Sequence, residues 1–176
     1  MIYYTGDIHG STLEIVTFCM RFKPTKDDTI VILGDVGANY FGDFRDNKLK
    51  EEFSKLEPTI FCIHGNHEMR PWNIPTYKIK EWNGGTVWYE EKYPNILFAK
   101  DGEIFDIEGT KHLVIGGAYS VDKFYRLSRG YGWWEDEQPS EEIKRYVEQQ
   151  IKEKEFDVIL SHTCPFKYEP IETFLP

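Results

Sequence analysis

Asp7 and His9 stand two residues apart in the stretch GDIHG, close to the start of the chain and flanked by glycines. A carboxylate and an imidazole that share a direction suit a borderline divalent cation. Gly and Asp also form turns, so this pair alone leaves both readings open. Three later stretches repeat the theme: Asp35 in GDVGANY, Asn66-His67-Glu68 in GNHE, and His162 in SHTCP. Together they offer carboxylate and amide oxygens and imidazole nitrogens, a donor set for hard and borderline metal ions. Any one could be a turn or a strand cap. Four in chain order, each behind a strand-like run, are hard to obtain by accident.

The elements that must position these residues can be read from periodicity. IYYT before GDIHG is β-branched and aromatic, as in a strand. A strand repeats every two residues, so Asp7 and His9 can leave its end on one side. Ser11 followed by Glu14 is a capping-box pattern and predicts a helix. Leu13, Ile15, Val16, Phe18, Cys19, Met20 and Phe22 give that helix a wide apolar face, and Lys23-Pro24 ends it. TIVIL and TIFCI are nearly continuous apolar runs, as in strands buried on both faces. Between them, DNKLKEEFSKL predicts a surface helix held by Leu49, Phe53 and Leu56. Strand alternating with helix implies a parallel sheet, whose ligand sites lie at the carboxyl ends of the strands.

The second half reads as antiparallel strands with turns at Gly84-Gly85, Pro94-Asn95, Asp101-Gly102 and Glu108-Gly109. Residues 121–139 read as a long loop rich in aromatics. Pro139-Ser140 opens a helix with Ile143, Tyr146, Val147 and Ile151 on one face, and FDVIL is a strand leading into SHTCP. The class from pattern alone is α/β with β-rich insertions.

The chain has 176 residues, 40% of them hydrophobic, enough for one domain with a real core. No stretch approaches the ~20 apolar residues of a membrane span, and no signal peptide is evident. Cys19, Cys62 and Cys164 are odd in number and widely spaced, which fits reduced thiols in a cytoplasm. A net charge of -9 disfavours a broad nucleic-acid surface but not small phosphorylated substrates. None of the cysteines has the phosphate-cradling loop and following arginine of a cysteine phosphatase, and no P-loop is present. His64 and His112 read as satisfied core histidines.

The order D-x-H, G-D, G-N-H-E, H resembles the calcineurin-like metallophosphoesterases over almost the whole chain. GGAYSVDKFYR followed by WW and acidic residues is similar to a bacterial and phage branch of that family. The resemblance implies a four-layer αββα sandwich of two mixed sheets flanked by helices. It implies metal-dependent hydrolysis of a phosphoester by direct attack of metal-bound hydroxide. Two divalent or trivalent ions, Mn²⁺ first and Fe or Zn²⁺ as alternatives, would sit about 3.5–4 Å apart. Asp7 and His9 would hold the first metal, Asp35 would bridge, and Asn66 and His162 would hold the second. His67 would face the substrate as the catalytic histidine. Glu68 would support an imidazole through a hydrogen bond. Arg70 and Arg126 follow motif loops, and a planar guanidinium suits phosphate. The implied partner is a phosphorylated small molecule, nucleotide or phosphoprotein, with a phosphomonoesterase ahead of a phosphodiesterase or nucleotide pyrophosphatase. A binding module on the same fold is a further possibility. The family's late G-H-x-H has no match, and the chain ends in the apolar Phe174-Leu175. The expectation is therefore a single domain over 1–176, truncated before its last ligands.

Overall fold

Strand β2 (Thr29–Ile32) is buried along its whole length, as its apolar run requires. It lies between β1 (Ile2–Thr5) and β3 (Thr59–Cys62), parallel to both. The computed structural model describes residues 1–168, so Phe174-Leu175 lie outside the described residues. Helix α1 (Leu13–Phe22) joins β1 to β2. A 3-10 turn (Phe44–Asp46) and α2 (Asn47–Phe53) join β2 to β3. β4 (Lys78–Trp82), β5 (Gly85–Glu90) and β6 (Tyr93–Ala99) complete this first sheet in the order β1-β2-β3-β6-β5-β4. β6 runs parallel to β3, while β5 is antiparallel to its two neighbours. The second sheet contains β7 (Ile104–Ile107), β8 (Thr110–Ile115) and β9 (Val158–Ser161) in that order. β7 pairs antiparallel with β8, and β8 pairs parallel with β9. α3 (Lys123–Arg129) and α4 (Glu141–Glu153) lie in the connection from β8 to β9.

The two-residue period of the strands divides the apolar residues between two cores. Ile30, Ile32, Ile60, Cys62 and Phe98 pack with Ile15 of α1 and with Leu49 and Phe53 of α2. Their neighbours Val31, Phe61, Ile63 and Leu97 point the other way, against Phe105, Ile107, Val114 and Leu160 of the second sheet. Each buried side chain of this size contributes about 1.5–3 kcal/mol. Phe61 meets Phe105 of the second sheet edge-on at 4.9 Å, with Trp82 of its own sheet tilted beside it at 4.9 Å. α4 packs through Tyr146 and Val147 on Gly102, at the turn before β7. The two mixed sheets with their helices are the expected α/β sandwich. Among the described residues, no helix is long and apolar enough to cross a membrane.

Several local expectations need correction. α1 is capped at Thr12 with no side-chain cap bond, so Ser11 and Glu14 form no capping box. Only Ile15 of its apolar residues is buried, while Leu13, Met20 and Phe22 stand exposed. Pro94-Asn95 is no turn: both lie inside β6, beside a register shift at Tyr89/Glu90 that tolerates a missing ladder donor. Asn95 instead donates to the carbonyls of Phe53 and Leu56. The aromatic loop contains a helix, α3, which buries Arg126 and exposes its apolar residues. α4 begins as its sequence implies, with the Ser140 hydroxyl accepting from the Ile143 amide, yet Ile151 on its expected apolar face is exposed.

Candidate metal centre

Because β1, β2 and β3 run in register, Thr5, Ile32 and Cys62 lie side by side. The loops that follow therefore emerge at one edge of the sheet. β9 delivers His162 to the same edge from the second sheet. Two glycines let the loops close. A side chain at Gly65 would strike the Asp35 carboxylate and backbone at 2.0 and 2.1 Å. Gly34 has φ +99, and a side chain there would strike the His162 ring at 2.1 Å.

Asp35 is the centre of the arrangement. It is buried, and its backbone φ is 43, in the left-handed region. Its Oδ2 lies 3.8 Å from His9 Nδ1, 3.4 Å from His67 Nδ1 and 3.5 Å from His162 Nε2. Its Oδ1 accepts the amide of His67 at 2.8 Å. Burial pushes its carboxyl up, but the bonds from His162 and the His67 amide and the charge of the two rings outweigh this, so its pKa is lowered. Burial also opposes the charge on His162, and Asp35 together with the Leu33 carbonyl reverses the sign, leaving that imidazole raised.

His162 Nδ1 sits 2.7 Å from the Leu33 carbonyl, and its Nε2 lies 2.9 Å from the Asn66 Oδ1. The Asn66 amide donates to Ser120 Oγ at 2.8 Å, and Ser120 Oγ donates to Glu137 Oε2 at 2.5 Å. This chain turns the amide oxygen of Asn66 toward His162. On the outer side, the His9 ring spans the site, with Nε2 2.7 Å from Asp7 Oδ2. Asp7 and His9 are about half exposed, whereas Asp35 is buried and His162 nearly so. The strand periodicity does not set their directions: both lie past β1, and His9 has φ 45.

His9, Asp35 and His67 each present a donor atom within 4.8 Å of the others. Asn66 Oδ1 meets His162 Nε2, and that nitrogen lies 3.5 Å from the same carboxylate. Nitrogen and oxygen donors around one buried carboxylate, with an amide oxygen held inward, fit a pair of divalent ions. Ser120 is the handle on that amide. Ser120→Ala is expected to weaken the metal site about 10- to 100-fold in a calorimetric Mn²⁺ titration, with a modest loss of Tm as the buried Asn66 and Glu137 each lose a partner. Equal affinity would remove the role from Ser120.

A cleft of about 330 Å³ opens over this centre, lined by His9, Asp35, His67, Tyr40, Phe41 and Arg126 with the backbone at Gly10 and Gly37. Arg126 is buried among cleft residues: Nε donates to the Gly132 carbonyl at 2.8 Å, and Nη2 donates to Tyr40 Oη at 3.4 Å. Arg70 is placed elsewhere. It is 1% exposed, paired with Asp101 at 2.6 Å, and donates from Nε to the Asp136 carbonyl at 3.1 Å. It does not line the cleft, which corrects the expectation that it meets phosphate. Glu68 also differs from expectation. It supports no imidazole: its Oε1 accepts the amides of Gly65 at 3.1 Å and Val36 at 3.5 Å. Full burial pushes its pKa up to about 7. His64 is buried as expected, yet neither ring nitrogen has a hydrogen-bond partner among the described residues, and burial lowers its pKa well below the ordinary range. His112 does find one, with Nε2 2.7 Å from Tyr4 Oη.

Three contributors had not been singled out from the sequence: Ser120, Glu137 and Asp122. Asp122 Oδ1 lies 3.4 Å from His67 Nε2, and its Oδ2 lies 3.6 Å from Arg126 Nη1. The available signal was acids and a serine within an otherwise aromatic, glycine-rich stretch.

A family model described as calcineurin-like phosphoesterase matches residues 1–174. The chain is also 25% identical, over 119 aligned residues, to "Uncharacterized protein L509" of Acanthamoeba polyphaga mimivirus. That alignment covers 61% of this chain and 40% of the viral protein, so the chain spans less than half the length of that relative.

Proposed function

The chain belongs to the calcineurin-like phosphoesterase family, whose members are metal-dependent phosphoesterases, and on that premise we propose that it is a phosphomonoesterase using two bound metal ions. The observation that carries the ester preference is Arg126, a guanidinium lining a cleft whose floor is the metal centre. A monoester dianion carries one more negative charge than a diester, and a planar guanidinium in a closed site suits it.

In this reading Asp7, His9, Asp35, Asn66 and His162 would hold the two ions. Mn²⁺ is the first candidate, with Fe and Zn²⁺ compatible with the same donors. The ions supply Lewis acidity, lower the pKa of water and neutralise phosphoryl oxygens. The chain's own groups do the rest. Tyr40 and Phe41 wall the cleft, and Arg126 holds the non-reacting oxygens. His67 delivers a proton to the leaving oxygen as its bond to phosphorus breaks and the water oxygen bonds to phosphorus. Among the described residues no serine or cysteine lines the cleft, which supports direct attack by water over attack by a side-chain hydroxyl or thiol. The three thiols are free, which supports a reducing, cytoplasmic setting.

The test is turnover of aryl mono- and diester phosphates with added Mn²⁺. Faster monoester hydrolysis is expected. Faster diester hydrolysis would make it a diesterase, and loaded protein that hydrolyses neither would be a binding module. His67→Ala is expected to lower kcat about 10²- to 10⁴-fold while metal content stays constant. A smaller loss on phenyl phosphate than on p-nitrophenyl phosphate would oppose proton delivery by His67, because the poorer leaving group needs the proton more.

A further inference from the structure

α3 is built against the usual rule for a surface helix. Its buried residue is Arg126, while Phe124 is 76% exposed, Tyr125 55% and Leu127 51%. Its inward face is accounted for by the site, since Arg126 and the preceding Asp122 both turn to the cleft. Its outward face has no such role. Across 119–131 the cations are Lys123, Arg126 and Arg129, and the single acid, Asp122, is taken up by His67 and Arg126. This local excess of positive charge stands in a chain of net charge -9. The exposed cations are interleaved with rings. The Arg129 guanidinium lies 5.7 Å from the Tyr125 ring, and Tyr125 meets the half-exposed Tyr131 edge-on at 6.1 Å. The Tyr131 amide is bonded to the Arg126 carbonyl, so this cluster is continuous with the cleft wall.

Exposed rings alternating with cations match a ligand that alternates flat apolar groups with negative charges. Single-stranded nucleic acid is such a ligand: its bases stack on aromatic faces and its phosphates meet Lys and Arg. We propose that Tyr125, Arg129 and Tyr131 form a binding strip for single-stranded nucleic acid, leading a terminal phosphate past Arg126 into the cleft. This rests on the phosphomonoesterase reading and names its substrate class, a polynucleotide end. The expectation from net charge alone, which disfavoured nucleic acid, averages over a surface that is locally basic beside the site.

Binding is measured on the full chain, in chelator, with a fluorescein-labelled single-stranded oligonucleotide lacking a terminal phosphate. The strip is then read without turnover and without the metal centre. Saturable anisotropy at low salt is expected. Tyr125→Ala and Tyr131→Ala should each weaken it about 10-fold, within the range of one lost stack. Arg129→Ala should reduce the slope of log K against log salt by about 0.7. All three should leave p-nitrophenyl phosphate turnover with Mn²⁺ unchanged, which also shows that they fold. Absence of binding by the unaltered protein, or variants that bind as it does, would overturn the strip. Tighter, Tyr125-dependent binding of a phosphopeptide or of anionic vesicles would do the same. Oligonucleotide binding without ester hydrolysis would leave the strip standing and remove the enzyme reading. Hydrolysis without oligonucleotide binding would do the reverse.

Discussion

Asp35→Asn is expected to lower kcat/KM by about 10³-fold or more while leaving the fold intact. The carboxylate lies within 4 Å of nitrogens from three histidines, which supports the bridging role proposed for it. Loss of one ion removes several kcal/mol of charge stabilisation, and each 1.36 kcal/mol is a factor of ten in rate. Asparagine is the informative replacement. It keeps an Oδ1 to accept the His67 amide, and it tolerates the left-handed backbone at this position better than most residues. Metal analysis should find less than the full complement of ions, and the metal-free protein should lose some stability at neutral pH, because the contacts that lower the Asp35 pKa are lost with its charge. Full metal content with full activity would show that Asp35 does not bridge.

Arg70→Ala is expected to cost about 3–5 kcal/mol of stability, the usual penalty for stranding one partner of a buried ion pair. Arg70 holds Asp101 at 2.6 Å, and Asp101 also accepts the Gly116 amide at 2.6 Å. The same guanidinium donates to the carbonyl of Asp136 and, at 3.5 Å, to that of Glu137. It thus fastens the turn before β7, the end of β8 and the acidic stretch before α4. Glu137 in turn holds Ser120, and Ser120 holds Asn66. Chemical denaturation should show the loss of stability, and metal affinity should fall with it. Replacing both partners together, Arg70→Met with Asp101→Leu, should recover part of the stability, because no charge is then left unpaired. An Arg70→Ala protein as stable as the unaltered chain would refute the anchoring role.

The legible parts of the molecule were those where one residue type meets one demand. TIVIL and TIFCI read as strands buried on both faces and form β2 and β3, and the polar motifs behind them fall at the sheet edge where loops converge. Asp35, Asn66, His67 and His162 were brought together as their order implied, with His9 alongside. What stayed hidden depends on partners distant in sequence. Glu68 reads as a helper of histidine, yet its carboxylate holds two backbone amides because both motif loops close around it. Arg70 reads as a phosphate-binding guanidinium, yet its charge is taken up by Asp101, 31 residues later. α3 was missed for a physical reason: a helix that buries arginine and exposes phenylalanine inverts the pattern by which surface helices are recognised. The Ser11–Glu14 box failed because Thr12 is the cap residue, one position further on.

The placement of His162 has a consequence for how the protein is made. The residues at the ends of β1, β2 and β3 are all synthesised by position 67, but the histidine that packs against Leu33 comes 95 residues later. At 5–20 residues per second, roughly 5–20 s of translation separate the two. During that interval the emerging sheet carries its buried acid without the imidazole that neutralises it. Docking of β9 beside β8 is thus the event that brings the His162 imidazole to Asp35, and on the proposed ligand set metal capture would wait for it.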